Sequence, residues 1–405
     1  MTKITVLDAP MGAGKSTAII NMLNKRDAVS MLQLDKYIIA TPYLDEVKRF
    51  KDGITARRFY EPKSTTAGGI KRNHFRQLIE EGKDVATTHA LIGLLDVETM
   101  QLIKSQGYTI VIDEDMDAHQ RIKSGKNDIA DAIKLGYISI DDETQIITWI
   151  GDEDYDGAFS YIKDATIGSV LYKHNDTTLV QTLSANFYDA FTQVYLLNYL
   201  FETGDMWANL QLNDLPFTKK SIRDGEIVDY DKTLENRQAL RALINVYDGE
   251  LNNLCKGDIN PFNSTFYNVR ADDKQLATIK RTMANVVRNI YNVKSKDVMW
   301  TTLKSQQHNL KGDGYAKGFV SLTQKASNDF ADKSVLLYMY NRFGNPYDFG
   351  FYKSKGVVIN EELWACASML QWVFRSRVRK GEQVDLYMPS ERMRNVLEKW
   401  ASYEI

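Results

Sequence analysis

The segment DAPMGAGKST, residues 8–17, combines glycines with a Lys-Ser-Thr end, a pattern typical of a loop that binds phosphate. Lys15 could reach the outer phosphates of a nucleotide, and the Ser16 hydroxyl could bind Mg²⁺. Gly12 and Gly14 would let the backbone approach the ligand, and the N-terminus of a following helix would attract the anion. We therefore expect the nucleotide-binding residues to be Pro10, Met11, Gly12, Ala13, Gly14, Lys15, Ser16 and Thr17.

A second motif, TIVIDED at residues 109–115, supplies the acidic groups that nucleotide hydrolysis needs besides a phosphate-binding loop. Asp113 could hold Mg²⁺ through its waters together with Ser16, and Glu114 could orient or deprotonate the attacking water. The apolar run before them predicts a strand buried on both faces. An Asp-Glu pair is a weak signal alone, but it becomes strong downstream of residues 8–17.

The third chemical segment is NEELWACASMLQWVFRSRVRKG, residues 360–381, which predicts one helix with Asn360 as its N-cap and a glycine just past its end. Gln371, Arg375 and Arg379 are spaced by four residues and would share one face of that helix. Such a line suits recognition of a γ-phosphate, with arginine supplying charge to the transition state. A solvated basic helix face explains the same spacing equally well.

The elements that must position these groups alternate between short strands and helices over the first 120 residues. Apolar, β-branched runs predict strands at residues 4–7, 37–40, 84–86 and 108–112. Helical spacing predicts a helix at residues 70–81. This alternation indicates an α/β fold with a parallel sheet.

Residues 120–168 are acidic and mostly polar, and we interpret them as a helical insertion. The next segment, SVLYKHNDTTLVQTLSAN, predicts a hairpin with Asn-Asp at its turn. The α/β pattern of the first domain is thus interrupted after its acidic motif.

We predict two domains, the first spanning residues 1–200 and the second residues 201–405. Residues 237–254 and 274–291 look helical, so we expect residues 235–292 to form a helical portion of the second domain. The remaining C-terminal residues return to alternating strands and helices.

Composition places the chain among ordinary soluble globular proteins, with 405 residues, 43% hydrophobic and 26% charged. Cys255 and Cys366 are too few for a disulfide framework and do not resemble a zinc site. No apolar run approaches the roughly 18 residues of a membrane span. A strand begins almost at the N-terminus, so we expect no signal peptide. We predict a cytoplasmic protein with no membrane partner, in the host cytoplasm if it is phage-encoded.

The formal net charge of −2 argues against nucleic-acid binding through bulk charge, but not against a local groove. Residues 47–76 hold nine Lys and Arg residues against two acidic ones, with Phe and Tyr between them. This mixture suits phosphate contacts and base stacking, and Arg57 and Arg58 are the candidate contacts. A solvated charged surface explains the stretch as well.

In order along the chain, these motifs resemble those of superfamily 2 helicases of the DEAD/DEAH-like class, and the likeness covers most of the sequence. APMGAGKS resembles motif I, ATPYLDEVKR motif Ia, TTHAL motif Ib and VIDED the DEAD/DEAH box. TLSAN resembles motif III, VMWTTLK falls at motif IV, SLTQKASNDFADKSVLLY resembles motif V and QWVFRSRVR motif VI. YMYNRFGNP and LYMPSERMR are similar to segments of compact helicase-like proteins of tailed phages and mobile elements.

Three positions depart from the family pattern. The fourth box position is Met116, and the motif III-like segment ends in Asn186. The second motif VI arginine commonly follows the first by three residues, whereas here it follows by four. The sequence therefore leaves open which of Arg375, Arg377 and Arg379 contacts the nucleotide.

The resemblance implies two RecA-like P-loop domains with ATP and Mg²⁺ in the cleft between them. It implies catalytic roles for Lys15, Asp113, Glu114, Gln371, Arg375 and Arg379. Nucleic acid, single-stranded or forked DNA, would lie across the tops of both domains. The contacts that the resemblance implies are Thr41, Pro42, Tyr43, Thr88, His89, Lys304 and Thr323. Most of them would reach backbone phosphates, so binding would be largely independent of sequence.

The leading hypothesis is an ATP-dependent DNA helicase or translocase in phage or mobile-element replication or recombination, with other replication proteins as further partners. Three alternatives stay open. They are a nucleic-acid-stimulated ATPase that remodels protein–DNA complexes without unwinding, a non-catalytic nucleotide switch or replication-initiation scaffold, and a small-molecule kinase. Intact Lys15, Asp113 and Glu114 argue against the switch, and a kinase would leave the motifs near residues 323 and 371 unexplained.

Overall fold

The computed structural model describes residues 2–26, 35–64, 70–322 and 329–405, which form a mixed α/β architecture. The strands are β1 (Lys3–Asp8), β2 (Lys36–Thr41), β3 (Val85–Thr88), β4 (Tyr108–Asp113), β5 (His119–Lys123), β6 (Ile138–Ile140), β7 (Ile146–Trp149), β8 (Ser169–Asn175), β9 (Thr178–Leu183), β10 (Gln193–Asn198), β11 (Thr218–Arg223), β12 (Glu226–Asp229), β13 (Ile244–Val246), β14 (Val298–Thr301), β15 (Val335–Tyr338) and β16 (Val384–Tyr387). The helices are α1 (Lys15–Arg26), α2 (Leu44–Gly53), α3 (Lys71–Glu80), α4 (His89–Ile92), α5 (Val97–Gln106), α6 (Asp128–Lys134), α7 (Ser160–Thr166), α8 (Ala185–Asp189), α9 (Asp205–Leu212), α10 (Arg237–Ala242), α11 (Asp273–Asn285), α12 (Gln307–Leu310), α13 (Pro346–Ser354), α14 (Glu361–Val373) and α15 (Glu391–Ala401). Every helix in these ranges is too short or too polar to span a bilayer.

The chain divides into two compact units, and neither is one continuous segment. The first comprises Met1–Ala9, Gly14–Asp231 and Tyr347–Ile359. The second comprises Pro10–Ala13, Lys232–Pro346 and Asn360–Ile405. The predicted boundary at residue 200 lies inside the first unit, because β11 pairs in parallel with β1 and so extends the first sheet beyond that point.

The first unit is built on a seven-stranded sheet with the order β12-β11-β1-β10-β4-β2-β3. All neighbours pair in parallel except β11 and β12. Alternate residues of its central strands face two separate apolar clusters: Ile38 and Ala40 lie in one, and Tyr37 and Ile39 in the other. Burial on both faces explains why these strands are continuous apolar runs. The predicted α/β fold with parallel sheets is confirmed.

The predicted helical insertion is wrong in its secondary structure. Residues 119–183 form a five-stranded antiparallel sheet, β5-β9-β8-β7-β6, and the helices α6 and α7 have only seven residues each. β5 is half exposed and carries mostly polar side chains, so its sequence lacks the apolar pattern that predicts a strand. The predicted hairpin is confirmed as β8 and β9, which pair from Ser169↔Leu183 to the turn.

The second unit contains a four-stranded, entirely parallel sheet with the order β13-β16-β15-β14. Residues 237–254 do not form one helix: α10 ends at Ala242, and Ile244 then pairs with Val384 in the sheet. This tertiary pairing outweighs the local helical spacing. The predicted helix at residues 274–291 is confirmed as α11, which starts with a capping box between Asp272 and Gln275 and continues as a π-helix.

Candidate functional site

The loop before α1 has the backbone geometry that the glycines predict. Gly12 and Gly14 have φ angles of 86° and 87°, a left-handed region that other residues rarely adopt. The first helical hydrogen bond runs from the Ala18 N–H to the Gly14 carbonyl at 2.8 Å, so α1 starts directly at Lys15. The Lys15 ammonium donates to the Ala9 carbonyl. The loop from Ala9 to the start of α1 thus combines a flexible cation with a helix N-terminus, the elements of an anion site.

Ser16 and Asp113 meet at the carboxyl edge of the first sheet. The Ser16 hydroxyl donates to Asp113 Oδ2 at 3.0 Å. Arg49 on α2 contacts the same oxygen at 3.3 Å and also pairs with Glu46 at 2.9 Å. Asp113 is almost fully buried, with 6% of its surface exposed, so these contacts offset the cost of removing a carboxylate from water.

The Ser16–Asp113 pair fits Mg²⁺, which prefers oxygen ligands. In the ranges that the structure describes, no three His, Cys, Asp or Glu side chains converge as a metal site. Mg²⁺ in nucleotide sites needs no such cluster, because phosphates and waters supply most of its ligands. Ser16 would bind the ion directly, and Asp113 would hold it through its waters.

Glu114 follows Asp113 in a strained backbone conformation. Its φ is 67°, in the left-handed region, which costs of order 1 kcal/mol or more for a residue with a Cβ. Its N–H donates to the Leu197 carbonyl at 2.9 Å, which holds the turn next to β10. This turn fixes the backbone of Glu114 at the end of β4, and the role of Glu114 in hydrolysis stays a prediction.

The end of β10 is a part of the site that sequence reasoning missed. β10 lies between β1 and β4, the two strands that carry the loop and the acidic pair. The Ala9 N–H donates to the Asn198 carbonyl at 3.2 Å, and the Leu200 N–H donates to Asp8 Oδ1 at 2.9 Å. Leu200 has a φ of 54°, so this turn is strained as well. The apolar run QVYLLN, a strand signal, could have identified it.

The motif III-like segment TLSAN lies elsewhere. Its residues end β9 in the antiparallel sheet and begin α8. Asn186 lines a cavity of about 250 Å³ together with Lys104 and Asp189. The turn that lies beside the ends of β1 and β4 is therefore the one after β10, and not the turn that contains Asn186.

Two of the predicted nucleic-acid contacts are neighbours in the sheet. Thr41 ends β2 and pairs in register with Thr88, which ends β3. Thr41 is buried and donates to the Tyr43 carbonyl at 2.9 Å, whereas the Tyr43 side chain is 40% exposed. The carboxyl edge of the first sheet thus brings residues 41–43 close to residues 88–89. His89 is buried, at 8% exposure.

Arg57 and Arg58 lie at the opposite, amino edge of this sheet. Arg57 pairs with Asp84 at 3.0 Å, just before β3, and stacks over Tyr37 near the start of β2. Arg58 is exposed and stacks over Tyr60, which bridges to Val85. The structure therefore does not bring these arginines to the edge that carries Thr41 and Thr88, and Arg57 has a structural role.

The predicted second-domain residues lie in the second unit, and the helix that carries them is shorter than predicted. α14 ends at Val373, so Gln371 is helical but Arg375 is not. Ser376 then caps a separate 3₁₀ turn, Arg377–Lys380, that includes Arg379. The four-residue spacing therefore does not place three side chains on one helix face.

These arginines differ in environment. Arg375 is buried at 5% exposure, and its Nε donates to the Gln371 carbonyl at 3.4 Å. Arg377 donates to the Gln383 carbonyl, whereas Arg379 is exposed. Lys304 is exposed just after β14, and Thr323 lies outside the described residues.

A polar cluster in the first unit joins the antiparallel sheet to α9 and α13. His119 Nδ1 lies 2.6 Å from Asp205 Oδ1, and His119 Nε2 lies 3.2 Å from Asp348 Oδ1. Burial opposes protonation of this ring, but the hydrogen bonds and charges of the two carboxylates outweigh it and raise the pKa of His119 to about 10. The Tyr352 hydroxyl donates to Asp205 at 2.7 Å. His119 is thus a cation at neutral pH that holds α13.

The acidic motif is connected to this cluster through Asp115. Its carboxylate accepts the N–H groups of Asp205 at 2.7 Å and of Met206 at 3.2 Å, and so caps α9. A Cβ at Gly204 would lie 2.6 Å from the Asp115 carboxylate, so a larger residue there would displace this carboxylate. The third residue of the acidic motif therefore has a structural role, and the catalytic roles of Asp113 and Glu114 stay predictions.

These features define the class: an α/β protein with two mainly parallel sheets and an acidic strand end beside a glycine loop. Residues 238–401 match the family model described as the YonV C-terminal Rossmann-like domain. The whole chain is 32% identical over 415 residues to the SPbeta prophage-derived protein YonV of Bacillus subtilis (strain 168), and the match covers 99% of each chain. The chain belongs to the YonV family.

Several solved structures are similar to this chain at low identity. Xpd4 of S. tokodaii has a TM-score of 0.49 and 12% identity, over 100% of this chain and 94% of that chain. The DUF1998 helicase MrfA bound to DNA has a TM-score of 0.39 and 10% identity, and the same helicase bound to DNA and AMPPNP has 0.39 and 12%. This chain spans 49% and 48% of those two chains. The functional interpretation therefore depends on the geometry of the site.

Proposed function

We propose that the protein is an ATP-dependent motor that acts on DNA, a helicase or translocase in phage or mobile-element replication or recombination. The observation that carries the proposal is the 3.0 Å contact between Ser16 and Asp113 directly beside Lys15. A phosphate-binding loop and a strand-end carboxylate are the two parts that a nucleotide hydrolase must bring together. The assignment to superfamily 2 belongs to this proposal.

In this proposal the residues of the first unit divide the work of hydrolysis. Lys15 leaves the Ala9 carbonyl and binds the outer phosphates, while Ser16 and Asp113 hold Mg²⁺. The bound ion would supply charge that neutralises the phosphates. Glu114 orients the attacking water and accepts its proton. Arginines of the second unit, Arg375 or Arg379, would add charge in the transition state.

Nucleic-acid binding is supported by the neighbouring ends of β2 and β3. Thr41 and Thr88 are register partners, so residues 41–43 and 88–89 form one continuous edge of the sheet with an exposed Tyr43. Hydroxyls, backbone N–H groups and an aromatic ring are typical contacts to a phosphate backbone and to stacked bases. A strand at this edge would be bound without sequence readout.

The first test is the ATPase rate with and without single-stranded DNA, single-stranded RNA and duplex DNA. We expect DNA to stimulate hydrolysis, and Lys15→Ala to reduce it by about 10²-fold or more because the phosphates lose their partner. Lys25→Ala is the matched control, because Lys25 lies on the same helix, is exposed and pairs with Glu226. Full turnover in Lys15→Ala would contradict the proposal.

A strand-displacement assay then distinguishes unwinding from remodelling. A helicase separates a labelled duplex with a single-stranded tail in an ATP-dependent reaction. If DNA stimulates hydrolysis but no strand is displaced, the protein is a translocase or a remodelling ATPase. If no ATP is hydrolysed at all, the nucleotide-switch alternative is favoured.

A further inference from the structure

The carboxyl edge of the second sheet carries an arginine that has no acidic partner among the described residues. Arg342 follows β15 in the segment that leads to α13, and its Nε is buried without a hydrogen-bond partner in the described part of the chain. Burial lowers the pKa of Arg342, and the groups that act on it are the hydroxyls of Tyr338 and Tyr340, not carboxylates. A desolvated guanidinium with unused donors is costly, so it needs an anion to compensate.

Arg342 is held in position by an aromatic ring rather than by an ion pair. The centre of its guanidinium lies 4.4 Å from the ring centroid of Trp364 on α14. A contact of this kind does not use the N–H groups as hydrogen-bond donors, and because Nε is buried, the terminal Nη groups are the donors left for a ligand. The side chain is therefore preorganised for a planar contact with two oxygens, the geometry of a phosphate.

A second arginine fixes the backbone that carries Arg342. Arg392, in the first turn of α15, donates to the Arg342 carbonyl at 2.7 Å and to Asn341 Oδ1 at 3.2 Å. Its guanidinium also stacks on Phe343 at 4.0 Å. Arg392 uses its donors on the protein itself, whereas Arg342 does not, which separates a structural arginine from one available to a ligand.

The surrounding charges favour an anion at this edge. All strands of this sheet run parallel, so the ends of β14, β15 and β16 and the start of α15 lie along one edge, where ligands of such sheets bind. Lys304 follows β14, is exposed and makes no ion pair with a described residue. Of the nearby carboxylates, Glu362 pairs with Lys399 at 2.7 Å and Glu361 accepts the Gly344 N–H at 2.8 Å, whereas Glu391 in the first turn of α15 is exposed.

We infer that Arg342, stacked on Trp364, binds a phosphate of a single-stranded nucleic acid. The choice of nucleic acid rests on the proposed function. Nucleotide phosphates already have the loop at Lys15, so the edge of the second sheet is assigned to a phosphodiester. Arg342 lies in the segment YMYNRFGNP, to which the sequence assigned no contact.

The test compares Arg342→Met and Arg342→Lys with Arg288→Met, an exposed arginine of the same unit that pairs with Asp313. Affinity for a fluorescent single-stranded oligonucleotide is measured by anisotropy at several salt concentrations. We expect Arg342→Met to bind about tenfold more weakly, with the slope of log K against log salt reduced by about 0.7, the value for one single-strand phosphate. Arg342→Lys restores the slope but not the full affinity, and Arg288→Met matches wild type.

Thermal unfolding separates a ligand-binding role from a structural one. Methionine fills the space beside Trp364 without a buried charge, so Arg342→Met keeps or raises the unfolding temperature of the free protein. A lowered unfolding temperature, or oligonucleotide affinity unchanged by Arg342→Met, overturns the inference. So does weaker binding of a fluorescent ATP analogue with unchanged oligonucleotide affinity, since the phosphate would then be that of the nucleotide. If wild type binds no oligonucleotide, the proposed function itself fails, and that outcome is separate from a failure at Arg342.

Discussion

The Ser16 hydroxyl lies 3.0 Å from Asp113 Oδ2, although 97 positions separate the two residues in the chain. Ser16 lies in the first turn of α1, which follows β1, and Asp113 ends β4. These two strands are not neighbours, because β10 lies between them. Parallel pairing nevertheless ends all three strands at one edge, which is where sites of α/β proteins form. The sheet order, rather than any local sequence feature, therefore creates the candidate metal-binding pair.

Arg49 competes with a metal ion for Asp113. Its guanidinium lies 3.3 Å from the same Oδ2, so it neutralises the charge that Mg²⁺ would bind. We expect Arg49→Ala to lower the Mg²⁺ concentration for half-maximal ATP hydrolysis several-fold. An ion pair of this kind contributes about 1 kcal/mol, which corresponds to a several-fold change in a binding constant. A Mg²⁺ titration at fixed ATP measures this. Lys48→Ala, on the same helix and paired with Asp52, should match wild type. An unchanged or higher Mg²⁺ requirement in Arg49→Ala would refute the competition.

Glu114→Gln should keep nucleotide binding and stop turnover. The amide has the size of the carboxylate and the same left-handed backbone, but it cannot accept a proton from water, so kcat should fall by about 10²-fold or more. Stopped-flow hydrolysis and binding of a fluorescent ATP analogue measure the two effects separately. Asp117→Asn, an exposed carboxylate nearby, serves as control. Loss of nucleotide affinity in Glu114→Gln would indicate that Glu114 is structural.

The three arginines after α14 should differ in their effects on turnover. We expect Arg375→Ala and Arg379→Ala each to lose about 10²-fold in kcat, as for an arginine finger. Arg377→Ala should stay near wild type, because its guanidinium is used on the Gln383 carbonyl. Because Arg375 is buried, Arg375→Lys is measured beside Arg375→Ala. Lysine keeps the charge, so the pair separates the effect of a lost charge from the effect of misfolding. If Arg377→Ala is inactive and Arg379→Ala is not, the assignment is wrong.

The His119 cluster predicts a specific dependence of stability on pH. The folded-state pKa of about 10 lies above the ordinary histidine pKa of 6.5, so the folded protein binds one more proton than the unfolded chain between these values. The free energy of unfolding should therefore fall as pH rises through this window, by at most about 1.4 kcal/mol per pH unit from this group. Urea unfolding at pH 6.5, 8 and 9.5 measures the slope. His119→Gln should be less stable at pH 6.5 and show a flatter dependence, and equal slopes would exclude the histidine as the cause.

Sequence reasoning was sufficient where the local pattern and the buried environment agree. The apolar runs of β2, β3 and β4 and the glycine loop before α1 were predicted within a few residues, because strands buried on both faces are mostly apolar along their length. The two motifs predicted that Ser16 and Asp113 would share a Mg²⁺ ion, and the structure brings the two side chains into contact. The roles of these residues in hydrolysis stay predictions.

Features that depend on tertiary contacts could not be predicted. β13 has three residues, and only pairing with β16 makes it a strand. The helix at residues 360–381 ends early because Ser376 starts a new turn, and the spacing of the arginines continues through that break. Arg57 looked like a phosphate contact, but its partner Asp84 becomes a neighbour only in the folded sheet.

The placement of Tyr347–Ile359 in the first unit has a consequence for the order in which the protein folds during synthesis. Phe351, Tyr352 and Val357 complete an apolar cluster with Tyr172 and Val180, and Asp348 completes the partners of His119. None of these contacts can form until residue 359 has left the ribosome, when most of the second unit has already been made. Most of the second unit is therefore synthesised before the first unit is complete. A fragment that stops at residue 231 would expose an apolar patch and leave His119 Nε2 without Asp348.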